Sequence, residues 1–103
     1  MIDVTLARLR VDLQTIYGSR LKGLYLYGSY ARARQDLESD VDVLIVLDRV
    51  DHYTDEIERT GHIISARSLD AGVSISRVFV SEAQWAAGDT RFLTNVREDA
   101  VPV

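Results

Sequence analysis

Two aspartates one residue apart, Asp40 and Asp42, enter the most apolar segment of this sequence, and ten residues separate them from Gly28-Ser29. Side chains alternate between the two faces of a β-strand, so both carboxylates would point to the same face. Carboxylates suit the hard cation Mg²⁺, which completes its coordination with water and substrate phosphates. A glycine–serine turn before a helix start leaves backbone N–H groups free to bind an anion. These residues therefore indicate a metal and phosphate site of the kind that nucleotide chemistry needs.

An aspartate inside the apolar run 41–47 is costly unless its charge is matched. Asp40 would lie on the same face as Asp42 and would repel it, whereas a divalent cation would neutralise both. The structural alternative is that Asp40 caps a turn. Asp42 would then pair with an arginine such as Arg32 or Arg77. The glycine–serine pair ahead of the acids favours the metal site.

Two predicted strands would position these residues. The segment Leu21–Tyr27 is rich in aromatic and aliphatic side chains, which predicts a buried or half-buried strand that ends at Gly28. A short helix is predicted to begin near Ser29, and the polar residues 35–39 would lead back to the sheet. The nearly uninterrupted apolar run 41–47 is typical of a central strand covered on both faces.

Helices are predicted around these strands. Residues 4–17 place apolar side chains on one helical face, and residues 53–69 form a helix of weaker amphipathicity. The predicted buried stripe of the second helix comprises Tyr53, Ile57, Ile64 and Leu69. Residues 73–80 are rich in β-branched side chains, which predicts a third strand. Ser81 and Gln84 then have the spacing of a capping box at the start of a short helix.

The final residues again show helical spacing, and Pro102 is expected to mark a frayed end. This order of elements predicts an α/β (α+β) fold in which a small three-stranded sheet is covered by helices. We interpret the sheet as mixed, although connections that contain helices favour parallel neighbours.

The composition bounds the class of protein. A chain of 103 residues that is 47% hydrophobic can build one core, so residues 1–103 are interpreted as a single domain. The net charge of −4 speaks against broad nucleic-acid binding, and no direct nucleic-acid contact is expected. The absence of cysteine excludes disulfides, thiolate zinc sites and cysteine nucleophiles. The sequence shows no signal peptide and no membrane-spanning run, so a cytoplasmic protein is expected.

The glycine–serine pair, the ten residues after it and the triplet Asp40-Val41-Asp42 resemble the signature of the DNA polymerase β-type nucleotidyltransferase superfamily. The residues 29–32, Ser39 and the small size are most similar to its minimal nucleotidyltransferases. Those proteins are commonly the antitoxin of a two-gene toxin–antitoxin system whose toxin is a HEPN-domain ribonuclease. The resemblance covers essentially the whole chain, and its specific part is residues 27–47.

The resemblance implies a role for each residue of the site. The implied nucleotide-binding residues are Gly28, Ser29, Arg32 and Ser39. Gly28 and Ser29 would hold the β- and γ-phosphates of a nucleoside triphosphate. Asp40 and Asp42 would be the catalytic pair, which ligates Mg²⁺ between those phosphates and the attacking hydroxyl. Arg32 would approach the triphosphate, or would otherwise be a solvated helix arginine.

The reaction that the resemblance implies is transfer of AMP from ATP to a tyrosine hydroxyl of a HEPN-domain toxin protein. The two proteins would form a hetero-oligomer, and this chain would act as the antitoxin by inactivating its partner. Attack on the α-phosphorus would be in line with the departing pyrophosphate, and positioning and charge neutralisation would drive it.

The sequence departs from the family pattern at two places. Ala33 stands where the family usually has a glycine. Active members carry a third acid on the next strand, and its equivalent here is Ser76, or Ser74 on the same face, neither of which can act as a general base. These departures favour an alternative in which the chain is a degenerate antitoxin that neutralises its toxin by binding alone. The resemblance also implies a further alternative, a small-molecule nucleotidyltransferase like the antibiotic-modifying relatives, completed by a partner subunit.

Overall fold

The computed structural model describes residues 2–36 and 38–103. The helices are α1 (Ile2–Tyr17), α2 (Tyr53–Ala71), α3 (Glu82–Ala87) and α4 (Arg91–Asp99). The strands are β1 (Leu21–Tyr27), β2 (Val41–Leu47), β3 (Ile75–Ser81) and β4 (Val101–Pro102). The predicted bounds of β1 and β2 are confirmed. None of the helices in these two described ranges has both the length and the apolarity that crossing a bilayer requires.

The strands form a mixed sheet in the order β3-β2-β1-β4. The central strand β2 is antiparallel to β1 and parallel to β3. The prediction of three strands is wrong by one, because Val101 and Pro102 pair with Leu26 and Tyr25 of β1. A strand of two residues is too short to show a periodic pattern, and proline is confined to sheet edges because it lacks an N–H group. The residue expected to mark a frayed end therefore lies in an edge strand.

The strand β2 is covered on both faces, which accounts for its apolar sequence. Its odd-numbered side chains pack in the larger core with α1 and α2. Leu44 and Val46 pack in a smaller core with Leu93 and Val96 of α4. Since side chains alternate along a strand, Asp42 shares the face of Leu44 and lies at the end of the smaller core.

The buried face of α2 differs from the predicted stripe. Ile57 and Ile64 pack against the larger core as predicted, but Leu69 is 83% exposed and Tyr53 is 43% exposed. Each residue advances about 100° around a helix, so Leu69 lies about 140° from Ile64. The buried residues of α2 are Glu56, Thr60, Ile63 and Ile64. A buried acid and a buried threonine thus occupy positions that the apolar pattern did not identify.

Candidate functional site

The strands that carry the predicted site residues are adjacent, so the sheet brings these residues to one end of β2. Tyr27, the last residue of β1, is paired with Asp42 near the start of the antiparallel strand β2. On the other side of β2, the parallel register pairs Asp42 with Ser76 of β3. The Gly28-Ser29 turn therefore leaves β1 directly beside the acid pair.

Gly28 is required for two independent reasons. Its φ of +76° lies in the left-handed region, where residues with a Cβ atom are strained. In addition, a Cβ atom at this position would lie 2.5 Å from the Oδ2 atom of Asp42, closer than real Cβ atoms come. The backbone of the turn thus packs directly against the carboxylate, and a side chain at residue 28 would displace Asp42.

The helix predicted to begin near Ser29 is reduced to one helical turn. The N–H of Arg32 donates to the Gly28 carbonyl at 3.2 Å, and the N–H of Arg34 donates to the Ser29 carbonyl at 2.8 Å. Ala33 ends the turn with a φ of +56°, the left-handed conformation that closes a Schellman motif. The prediction of a helix is wrong here because so short a segment is unstable unless a packed face supports it.

The turn leaves backbone donors free. The N–H groups of Ser29, Tyr30 and Ala31 donate to no other residue in the described part of the chain. Free N–H groups at the start of a helical turn point toward the position where an anion binds. The geometry is therefore compatible with the phosphate-binding role predicted for Gly28 and Ser29.

Asp42 is half-buried, and none of the described residues forms an ion pair with it. Burial raises the pKa of its carboxyl, the charge of Asp40 raises it further, and the charge of Arg32 lowers it. Within residues 2–36 and 38–103, no side chain forms an ion pair or hydrogen bond with the Asp42 carboxylate. Such an acid is stabilised if a cation binds beside it.

The arginines that the structural alternative required are paired with groups other than the Asp42 carboxylate. Arg32 forms an ion pair with Asp99 of α4, with 2.6 Å between Nη1 and Oδ2. Arg77 donates to a hydroxyl and to a carbonyl of α2, each at 2.8 Å. The unmatched carboxylate of Asp42 therefore favours a cation site over a structural ion pair.

The connection before β2 is closed by Asp36 rather than by Asp40. Asp36 accepts a hydrogen bond from the N–H of Glu38 at 2.9 Å, and its own N–H donates to Ser39 Oγ at 2.9 Å. The Ser39 hydroxyl donates in turn to Asp36 Oδ1 at 3.3 Å. Ser39, predicted to bind nucleotide, is thus engaged within this connection. Asp40 is exposed, and its side chain has no hydrogen-bond partner among the described residues.

The two acids fit a magnesium site that the substrate would complete. The described residues contain no group of three or more acidic or histidine side chains that could hold a metal. Mg²⁺ typically takes one or two protein carboxylates and fills its other positions with water and phosphate oxygens. Asp40 and Asp42 meet that requirement. Ser76, which is in register with Asp42, offers a neutral hydroxyl, and Ser74 lies ahead of β3.

Three further residues near the acids were not identified from the sequence. The pKa of the Tyr27 phenol is raised to about 12 by burial and by the carboxylate of Asp42 opposite it. The Tyr27 ring contacts Phe92 of α4 edge to face, with 5.9 Å between centroids. Asp99, at the other end of α4, binds Arg32. The helical spacing of the final residues did not place α4 at this site, because its contact with Arg32 spans 67 residues.

Comparison with known proteins matches residues 6–99 to the nucleotidyltransferase domain family. A protein of Methanocaldococcus jannaschii, provisionally named a protein adenylyltransferase, is 53% identical to this chain over 36 residues. The matched segment covers 35% of this chain and 36% of that relative.

Solved structures of low sequence identity share the fold. A chain of a toxin–antitoxin complex with AMP-PNP has a TM-score of 0.61 at 17% identity, over 89% of this chain and 67% of that chain. A chain of a mutant of the toxin–antitoxin complex MntA–HpeT has a TM-score of 0.60 at 14% identity, over 92% and 69%. A protein provisionally described as a minimal nucleotidyltransferase has a TM-score of 0.60 at 19% identity, over 98% and 94%.

Proposed function

This chain belongs to the nucleotidyltransferase domain family, and from that premise we propose that it is a cytoplasmic antitoxin that uses Mg²⁺ and ATP to transfer AMP to a tyrosine of a HEPN-type toxin. The observation that carries the proposal is the Asp42 carboxylate, which is half-buried, lacks a described cation partner and packs against the backbone of Gly28. An unneutralised acid beside free backbone donors suits a metal-bound polyphosphate. The shared fold with chains of toxin–antitoxin complexes, one of them with AMP-PNP, supports a toxin partner and an adenine nucleotide.

In the proposed reaction, the phenolic oxygen of the acceptor tyrosine forms a bond to the α-phosphorus of ATP. The bond between that phosphorus and the bridging oxygen breaks, so that pyrophosphate leaves and the phenolic proton is released. Mg²⁺ held by Asp40 and Asp42 would supply charge neutralisation at the phosphates. The backbone N–H groups of the Gly28-Ser29 turn would hold the polyphosphate, and this positioning would supply much of the rate.

Transfer of label from ATP labelled at the α-phosphorus tests the reaction. With Mg²⁺ and the cognate toxin, the toxin should become labelled, whereas Asp42→Asn should reduce labelling at least about 100-fold because several kcal/mol of charge stabilisation are lost. Asp48→Asn is the matched control, because Asp48 follows the opposite end of β2. An unlabelled toxin that both the wild-type protein and Asp42→Asn neutralise would contradict the enzymatic proposal.

Nucleotide binding can be measured without the toxin. At about 100 times the Kd, MgATP should add roughly 2.7 kcal/mol to the free energy of unfolding. Thermal unfolding should therefore shift to a higher temperature with MgATP, and the shift should be lost in Asp42→Asn and kept in Asp48→Asn. A wild-type protein whose unfolding temperature is unchanged at millimolar MgATP would contradict the proposed site.

A second candidate function is neutralisation of the toxin by binding alone. The observation that favours it is Ser76, which occupies the register position beside Asp42 without supplying a third acid. In that case, the double variant Asp40→Asn, Asp42→Asn should still form the complex and neutralise the toxin. Loss of neutralisation in a double variant that still forms the complex would exclude this candidate and favour the enzyme.

A further inference from the structure

Arg32 is held by a residue far away in the sequence. Its Nη1 atom lies 2.6 Å from Oδ2 of Asp99, the last residue of α4. The Asp99 side chain is only 21% exposed, whereas that of Arg32 is 43% exposed. The ion pair thus links the turn that follows Gly28 to α4. Part of the arginine side chain stays exposed and could contact a ligand.

The position of Asp99 is unfavourable for the helix itself. The C-terminal end of a helix carries partial negative charge, so an acid there lowers helix stability. Arg97 is the basic residue in the last turn of α4, but its guanidinium lies over the Trp85 ring, 4.5 Å from the centroid. Arg32 is therefore the cation that matches Asp99 in the described part of the chain.

The anchored guanidinium keeps donors free. One nitrogen of Arg32 donates to Asp99, and its other two nitrogens donate to no described residue. A guanidinium is a planar fork that binds phosphate oxygens through two parallel N–H groups. Arg32 belongs to the turn that packs against the acid pair, because its N–H donates to the Gly28 carbonyl at 3.2 Å and a Cβ atom at Gly28 would lie 2.5 Å from Asp42 Oδ2. The helix that anchors it is itself fixed, because Leu93 and Val96 are buried in the smaller core.

We infer that Asp99 is a positioning residue, which holds the Arg32 guanidinium beside the acid pair so that its free edge binds the polyphosphate of a nucleoside triphosphate. The inference rests on the proposed function, because it assigns a contact of the same nucleotide. It places α4 in the site as the support of an arginine that lies on a turn of a few residues. A side chain pinned at one edge loses less conformational freedom when it binds than one that is free in solvent.

The test measures affinity in the full chain by titration calorimetry, with MgATP and with magnesium tripolyphosphate as separate ligands. Asp99→Asn should weaken the binding of both ligands by about two- to fivefold, the range expected of a partly exposed ion pair. Both ligands should respond equally because the contact is with phosphate and not with the base. Asp99→Glu, which keeps the charge, should restore most of the affinity.

Two comparisons separate positioning from a general effect on the fold. In an Arg32→Gln background, Asp99→Asn should cause no further loss of affinity, because the residue that it positions is absent. Asp48→Asn is the matched control, because Asp48 binds Arg20 at 3.0 Å in a partly exposed ion pair after the opposite end of β2. It should leave the affinity unchanged.

The outcomes distinguish this inference from the proposed function. Asp99→Asn that binds as tightly as the wild-type protein, or more tightly, would overturn the inference while leaving the nucleotide site intact. An additive loss in the Arg32→Gln background would overturn it as well. A wild-type protein that binds neither ligand would contradict the proposed function and the inference together.

Discussion

The carboxylate of Asp42 is costly to the free protein because no described cation neutralises it. Burial, followed by the charge of Asp40, raises its pKa, so ionisation is harder in the folded chain than in the unfolded chain. Stability is therefore lost as the pH rises from the ordinary carboxyl pKa through the raised one. The pKa of Asp48 is shifted in the opposite direction. The hydrogen bond from Arg20 lowers its pKa, so its stabilising effect is present at neutral pH and is lost as the pH falls through the lowered value.

We predict that Asp42→Asn raises the free energy of unfolding at pH 7 and that Asp48→Asn lowers it. Both substitutions keep the size of the side chain and remove its charge, so the pair isolates the electrostatic effect. Urea unfolding at pH 7 and at pH 3 measures both. The Asp42 difference should disappear toward pH 3 as its carboxyl becomes protonated, whereas the Asp48 difference should shrink only as the pH falls from the ordinary carboxyl pKa through the lowered one. An Asp42→Asn protein that is less stable than the wild type at pH 7 would contradict this account.

Ala33 carries backbone strain in the turn beside the acids. A residue with a Cβ atom in the left-handed region costs about 1–2 kcal/mol, and a glycine does not. Ala33→Gly should therefore raise the free energy of unfolding by about 0.5–1 kcal/mol, after the greater unfolded-state entropy of glycine is subtracted. Ala31→Gly is the control, because Ala31 lies in the same turn without a positive φ. Chemical denaturation should show that Ala31→Gly lowers stability. If Ala33→Gly lowers stability as well, Ala33 is not strained.

At the scale of secondary-structure elements, a buried acid docks α2 onto the end of α1. Glu56 is 4% exposed and accepts hydrogen bonds from the Tyr17 hydroxyl at 2.8 Å and from Arg59 at 2.7 Å. Arg20 lies 3.5 Å from its other oxygen and also binds Asp48 at 3.0 Å. These contacts join α1, the 3₁₀ turn Gly18–Arg20 that follows it and the residue after β2 to one side chain of α2. The network lies at the end of β2 opposite to the candidate site.

Removing this acid should loosen the contact between the two helices. We predict that Glu56→Ala lowers the free energy of unfolding by about 2 kcal/mol, because its hydrogen bonds to charged donors are lost. The cost stays below that of a fully buried pair, since both arginines retain contact with solvent. Glu58→Ala, at an exposed position of the same helix, should change stability by less than about 0.5 kcal/mol. If denaturant unfolding shows the same loss of stability for Glu56→Ala and Glu58→Ala, the network does not stabilise the fold.

At the scale of the whole molecule, the two faces of the sheet differ in how completely they are covered. The larger core under α1 and α2 holds β2 from one side, and the smaller core under α3 and α4 holds it from the other. Asp42 lies where the smaller core ends, so its carboxylate is placed by a strand that is fixed on both faces. A site carried by a packed strand is positioned more rigidly than one carried by loops alone.

Much of this arrangement follows from interactions between near neighbours in the chain. The strands β1 and β2 form at the predicted residues because apolar runs and turn-forming residues act locally. The predicted capping box also forms, with the N–H of Gln84 donating to Ser81 Oγ at 3.1 Å and the N–H of Ser81 donating to Gln84 Oε1 at 2.9 Å. The acids and the glycine–serine turn lie within one short stretch, so the candidate site could be predicted from their spacing.

The remaining features depend on which elements pack side by side. The pairing of β4 with β1, the burial of Glu56 and the ion pair between Arg32 and Asp99 all join residues distant in sequence, and a single sequence contains no periodic signal for such contacts. The left-handed conformation of Ala33 likewise runs against its local preference. The candidate metal site could therefore be predicted from local spacing, whereas the support around its residues arises from long-range packing.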